Sequence, residues 1–150
     1  IDVKKRKQIG SIKVGDRPRG IAFRPDGKVA YVACEIASKV YAIDVARRVV
    51  IKEIKTGNFS NGVTMAPDGS RVFISNGKDA TVSAIDTATQ EVIATIPVGK
   101  RPWNMAITPD GKKLYVANGR SNSVSVIDAI TLTPIKDIPV GDMPWGVTIR

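Results

Sequence analysis

The sequence predicts an all-β chain of repeated four-stranded antiparallel units, and three observations support that expectation. The tripeptide Pro-Asp-Gly stands at Pro25-Asp26-Gly27, Pro67-Asp68-Gly69 and Pro109-Asp110-Gly111, a step of 42 residues. Glycine keeps the same step at Gly15, Gly57, Gly99 and Gly141, as does Ile-Asp at Ile1-Asp2, Ile43-Asp44, Ile85-Asp86 and Ile127-Asp128. Between these marks lie short runs rich in Val, Ile, Thr and Tyr, side chains that fit a pleated, half-buried surface. A fixed period of about 40 residues filled by four short strands reads as propeller blades.

Three full units occupy 15–56, 57–98 and 99–140 within a single propeller segment, 1–150. The remnant 1–14 matches the end of a unit and is expected to be an outer strand; 141–150 matches the start and is expected to be an inner strand. The third unit shows the elements best. Strand A is Asn104–Thr108, strand B Lys112–Asn118, strand C Ser123–Asp128 and strand D Pro134–Val140. Alternation in strand B is imperfect, since Leu114 and Val116 fall on one face and Tyr115 and Ala117 on the other. Strands covered on both sides, as when small sheets pack face to face, show that pattern.

Each connection has a mechanism. In the A–B turn, Pro fixes φ near −65° and Gly accepts positive φ, which makes a tight hairpin. After strand C, Asp44, Asp86 and Asp128 can accept backbone N–H groups of the turn that follows, so their expected role is structural rather than catalytic. Asn76 and Asn118, at the B–C loops, are expected to satisfy their own loop backbones.

Composition sets further bounds. The chain is 43% hydrophobic and 25% charged, which is globular, and no apolar run approaches the roughly 18 residues that cross a bilayer. The formal charge is +9, and the one dense cluster is Lys4-Lys5-Arg6-Lys7. Aromatic residues make up 5%, so the stacking platforms of single-strand binders are not visible and nucleic acid is not an expected partner. Cys34 is the only cysteine and there is no histidine. Serine–histidine, cysteine–histidine and histidine-ligated zinc chemistry are therefore excluded within this chain. Cys34 is expected to pack at a strand end.

Tyr115-Val116-Ala117-Asn118, Tyr31-Val32-Ala33-Cys34 and Phe73-Ile74-Ser75-Asn76, set in the frame Pro102–Tyr115, Asn122–Asp128 and Ile138–Gly141, resemble the YVTN β-propeller repeat family. The resemblance spans essentially the whole chain. It departs in the first unit, where Cys34 takes the Asn position and Glu35-Ile36-Ala37 replaces an Asn-Gly type of loop. It implies a periplasmic or extracellular setting, with relatives that include propellers associated with PQQ-dependent alcohol oxidation and cell-surface proteins.

Propellers close with about four to eight blades. The two remnants are an outermost and an innermost strand, which do not touch, so the chain is not expected to close its own ring. A simple ring of two copies would leave two gaps. The expectation is that 1–150 is roughly half of a seven-bladed ring, ending at a native C-terminus and lacking N-terminal blades. The remaining blades, or another protein, are then its first partners.

Propeller D–A and B–C loops gather on one face, the default place for binding. Arg17, Phe59, Arg101 and Met143 share one repeat position there, and Arg19, Asn61, Trp103 and Trp145 share another. Arg17, Arg19 and Arg101 are candidates for a basic rim that receives a carboxylate, a phosphate or an anionic partner. Asn61, Trp103 and Trp145 complete the candidate face, the two tryptophans chiefly as packing residues. The expected function is binding or scaffolding, accessory to quinone-linked oxidation or cell-surface assembly, with no cofactor in this chain. One alternative is the propeller part of a PQQ- or haem-dependent oxidoreductase with ligands elsewhere; another is a polyanion-binding surface.

Overall fold

The structure, a computed structural model, describes residues 1–149. The three expected units fold as three four-stranded antiparallel sheets with no helix among the described residues. The first blade comprises β1 (Pro18–Phe23), β2 (Val29–Cys34), β3 (Lys39–Asp44) and β4 (Val49–Lys55). The second comprises β5 (Ser60–Met65), β6 (Arg71–Asn76), β7 (Thr81–Asp86) and β8 (Glu91–Pro97). The third comprises β9 (Pro102–Ile107), β10 (Lys113–Asn118), β11 (Ser123–Asp128) and β12 (Thr133–Pro139). Neighbouring strands in sequence are neighbours in each sheet.

Strand A of the third blade starts two residues before its expected beginning, because Pro102 pairs with Asn118 across a bulge. The same irregularity breaks the register of β1 and of β5. A bulge inserts an unpaired residue and shifts the side-chain alternation, which hides a strand's start from a period-two pattern. Segments 1–14 and 141–149 form no strand; the first holds only the bridge between Asp2 and Lys7. Among the described residues neither segment has a neighbouring strand to form a ladder with. Arg150, at the end of the expected inner strand, lies outside the described residues.

The turns follow their chemistry. Gly27, Gly69 and Gly111 have φ of 69°, 74° and 71°, and each donates its N–H to the residue three before it, at 2.8, 2.9 and 2.8 Å. The carboxylates of Asp26, Asp68 and Asp110 accept the N–H groups of Lys28, Ser70 and Lys112 at 3.0 Å. After strand C, Asp44 accepts from Arg47, Asp86 from Ala88 and Thr89, and Asp128 from Ile130 and Thr131, at 2.7–2.9 Å. Each is a local cap, the structural role expected of them.

Blades pack face to face through strand B. Tyr31, Ala33 and Val40 of the first blade meet Val72, Ile74 and Ile85 of the second. Phe73, Val82 and Ile96 of the second meet Met105, Leu114 and Val116 of the third. The other face of the first blade buries Ala30, Val32, Cys34 and Ile43 beneath Ile12 and Val14. In the first and second blades both faces of strand B are thus apolar because both are covered.

The inner strands approach closest. A Cβ on Gly20 would stand 2.4 Å from the carbonyl oxygen of Asn61, and one on Gly62 would stand 2.3 Å from that of Trp103. Between the second and third blades, Ser75 Oγ accepts the Gly62 N–H at 2.8 Å and donates to the Trp103 carbonyl at 2.6 Å. Thr64 Oγ1 donates to the Met105 carbonyl, and Arg71 Nη1 donates to the carbonyls of Ala129 and Ile130.

Two outcomes are expected. Gly62→Ala forces the inner strands apart and destabilises the chain by about 3 kcal/mol, whereas Gly141→Ala, with open space around it, changes stability by less than about 0.5 kcal/mol; urea unfolding measures both. Asp68, Asp86, Asp110 and Asp128 are held below the ordinary carboxylate range by their hydrogen bonds, from the backbone at Asp68, Asp86 and Asp128 and first from the Thr108 hydroxyl at Asp110. Their folded values lie below their unfolded ones, so the stability they contribute is complete above the unfolded value and lost as pH falls toward the folded one. Thermal unfolding should be flat above about pH 5 and fall below about pH 4, with Asp86→Asn and Asp128→Asn shallowing the fall.

Candidate functional site

The D–A and B–C loops meet at one end of the three sheets. Glu35, Gly77 and Gly119 donate their N–H groups to the carbonyls of Arg17, Phe59 and Arg101, at 2.9, 2.9 and 3.0 Å. Those three acceptors, with Met143, share a left-handed backbone, φ 57°, 61°, 56° and 50°. Ser38, Ala80 and Asn122 in the B–C loops are left-handed too, at φ 52°, 55° and 51°. No β-branched residue occupies any of these positions, where a branched Cβ would be most crowded.

That backbone brings three cations to one carboxylate. Glu35, only 2% exposed, lies 3.2 Å from Arg17 Nε and 3.4 Å from Arg19 Nε through Oε2, and 3.5 Å from Arg101 Nη2 through Oε1. Oε2 accepts no well-directed hydrogen bond, so the two guanidiniums hold it by charge rather than by a bidentate fork. Three cations and one anion leave a positive surplus. Arg17 is 53% exposed and Arg19 36%, so donors on both face solvent.

The cluster spans the arc of blades. Arg17, Arg19 and Glu35 belong to the first blade and Arg101 to the loop that opens the third. Phe59, from the loop that opens the second, lies between: the Arg101 guanidinium is 5.5 Å from its ring centroid and the Lys78 ammonium 5.6 Å. An aromatic face so placed attracts both cations and fixes the direction from which Arg101 reaches Glu35.

The remaining candidates are placed differently. Asn61 is buried in β5, its carbonyl against Gly20. Trp103 lies flat on Gly119, whose Cβ would stand 2.5 Å from the ring, and Trp145 stacks on Trp103 with centroids 3.9 Å apart and planes 18° apart. Trp103 is thus enclosed between a glycine and a second indole, while Trp145 remains exposed.

Two expectations need correction. Asn76 and Asn118 do not bond their loop backbones. Their Nδ2 groups donate to hydroxyls on strand C, Thr81 and Ser83 for one and Ser123 and Ser125 for the other, at 2.8–3.1 Å. Both sit at the end of a strand, where the side chain turns inward over Gly57 or Gly99. In the first blade Cys34 and Tyr41 replace this Asn–Ser pair, and Tyr41 lies over Gly15. Burial pushes the Cys34 thiol up, which disfavours the reactive thiolate. Glu35 is the residue that residue-by-residue reading did not select. Its signal was the departure of the first B–C loop from the other two.

Among the described residues no group of three or more His, Cys, Asp or Glu is arranged to hold a metal ion. No helix is long and apolar enough to cross a membrane.

Comparison with known proteins places the chain. No curated protein matches it. Among solved structures it is similar to Kuenenia stuttgartiensis hydrazine synthase, at 26% identity and TM-score 0.82, over 92% of this chain and 40% of that one. It is similar to a Bacteroides fragilis protein proposed to be a 6-phosphogluconolactonase, at 30% identity and TM-score 0.74, over 86% of this chain and 40% of that one. A Desulfotomaculum acetoxidans protein of unknown function shares the fold, at 18% identity and TM-score 0.82, over 92% and 47%. The chain thus spans less than half the length of each. Residues 2–133 match the family described as lactonase, 7-bladed beta-propeller, and with three such blades in place the chain belongs to that family.

Proposed function

We propose that the Arg17, Arg19 and Arg101 face binds a small anionic ligand, through a carboxylate or a phosphate, as part of a larger propeller. One observation carries this reading: a carboxylate only 2% exposed gathers three guanidiniums within 3.5 Å, and two of these keep donors in solvent. Glu35 sets the directions of the cations before a ligand arrives, which lowers the ordering cost of binding. In this reading the chain binds and positions without catalysis of its own. A periplasmic or extracellular setting, and a role beside quinone-linked oxidation or cell-surface assembly, are the finer forms of the proposal. They rest on the YVTN-like repeats.

A second reading has its own support in the family match and in the Bacteroides fragilis neighbour. The same face would then take a lactone. The arginines would stabilise the negative charge that develops on the carbonyl oxygen when water attacks, and a carboxylate would accept the water's proton. Glu35 is the carboxylate at hand, but three guanidiniums hold it, which makes it a better anchor than base.

Calorimetric titration with 6-phosphogluconate and with gluconate tests the first reading. Binding should be present and salt-sensitive, and Arg19→Gln or Arg101→Gln should weaken it by about tenfold or more, the worth of one charge-assisted hydrogen bond. No heat with either probe, or affinity indifferent to both substitutions, contradicts it. Hydrolysis of glucono-δ-lactone above the buffer rate, lost in Glu35→Gln, would decide for the second reading. A visible chromophore in the purified protein would contradict a role without cofactor.

A further inference from the structure

The opposite end of the sheets carries a second charged feature, and it is distributed unevenly. Asp2, Asp44, Asp86 and Asp128 open four equivalent C–D turns, in which Arg6, Arg48, Gln90 and Leu132 hold the left-handed position at φ 49°, 57°, 59° and 62°. In the second and third blades the tips are Ala88-Thr89-Gln90 and Ile130-Thr131-Leu132, without charge. The other two tips are Lys4-Lys5-Arg6, followed by Lys7, and Ala46-Arg47-Arg48, all exposed, whereas Glu91 follows the second-blade tip. The repeat therefore holds the backbone constant while the charge collects at one corner.

These two turns adjoin. Arg48 Nη1 donates to the Ile9 carbonyl at 3.3 Å, and Ile12 and Val14, which follow the first turn, pack on Ala30, Val32 and Ile43 of the first blade. The acids of the corner bond locally and are outnumbered by its cations. Asp2 caps its own turn through the Lys5 N–H at 2.9 Å, Asp44 does so through Arg47 at 2.7 Å, and Asp26 pairs with Arg24 at 2.8 Å. Exposed Lys28 joins the corner, its carbonyl accepting the Val45 N–H at 3.0 Å.

We propose that this corner docks on an anionic phospholipid bilayer. The cations sit exposed on two adjoining turn tips, open to a charged surface rather than recessed in a pocket. A linear polyanion needs a basic track, but the cavity beside these turns is lined mainly by apolar side chains such as Ile9, Ile12, Ile21, Phe23 and Ile43, with Arg48 its only cationic side chain among the described residues. None of the cations is interleaved with an aromatic side chain on these tips, so bases of a nucleic acid have nothing to stack on. Clustered Lys and Arg gain from the diffuse potential of anionic headgroups over about one Debye length, without any specific pocket.

Vesicle co-sedimentation tests this, using phosphatidylcholine alone and phosphatidylcholine with about 30% phosphatidylglycerol. The chain should bind only the anionic vesicles and be released by about 0.5 M salt. Combined Lys4→Gln, Lys5→Gln, Lys7→Gln and Arg47→Gln should lower binding by about a hundredfold or more, at about fivefold per cation. A control with Lys112→Gln, Lys113→Gln and Lys136→Gln removes exposed charge from the third blade and should stay within about threefold of the parent. Equal loss in both variants would make net charge the cause and overturn the proposal. So would binding to the neutral vesicles, absence of binding to the anionic ones, or retention on heparin or duplex DNA above the salt that strips the vesicles. Anionic-vesicle binding that survives the quadruple substitution would place the contact on the arginine face and would also overturn the proposal.

Discussion

The separation of the inner strands is the constraint on which the rest of the structure depends. At Gly20 and Gly62 the backbone of one blade comes so near the carbonyl of the next that a single added carbon would collide with it. Backbone-to-backbone approach of this kind leaves no soft side chain to absorb an error. It fixes how far apart the blades stand, and therefore how the apolar faces of β2, β6 and β10 interdigitate. It also sets the spacing of the loops at one end. Arg101 reaches a glutamate 66 residues earlier in the chain because two blade steps carry it there, over Phe59.

The two ends of the sheets then serve different purposes on one scaffold. At the A–B and C–D end the aspartates hydrogen-bond their own turns, and those bonds hold the Asp68, Asp86, Asp110 and Asp128 carboxyls below the ordinary carboxylate range. At the D–A and B–C end, left-handed loop positions carry whatever side chain the site needs. Arg17, Phe59, Arg101 and Met143 share one left-handed backbone and present a guanidinium, an aromatic ring or a thioether from it. A repeat protein tailors its surface this way: the geometry recurs and the chemistry does not.

Much of this was legible in the sequence, and the boundary of what was legible has a physical cause. Strands and turns could be placed because the 42-residue step superimposes three independent copies of every element, so a weak signal in Phe73-Ile74-Ser75-Asn76 is read through a strong one in Tyr115-Val116-Ala117-Asn118. The arginines of the candidate face could be gathered by the same alignment. Glu35 could not, because alignment reveals what recurs and Glu35 does so nowhere else; only the break in pattern marked it. The partners of Asn76 and Asn118 were misread because a loop-edge amide has backbone and hydroxyl acceptors at similar range, and burial against Gly57 and Gly99 selects the hydroxyls. The strand starts at Pro18, Ser60 and Pro102 were hidden by bulges, which shift a period-two pattern.

The central claim is that the blades form one arc stiff enough to couple the first to the third. A double-mutant cycle on Glu35→Gln and Arg101→Ala, read by urea unfolding, measures that coupling across the second blade. The account predicts a coupling free energy of about 1 kcal/mol, modest because Arg101 is 28% exposed. Additive effects, with coupling below about 0.3 kcal/mol, would contradict it.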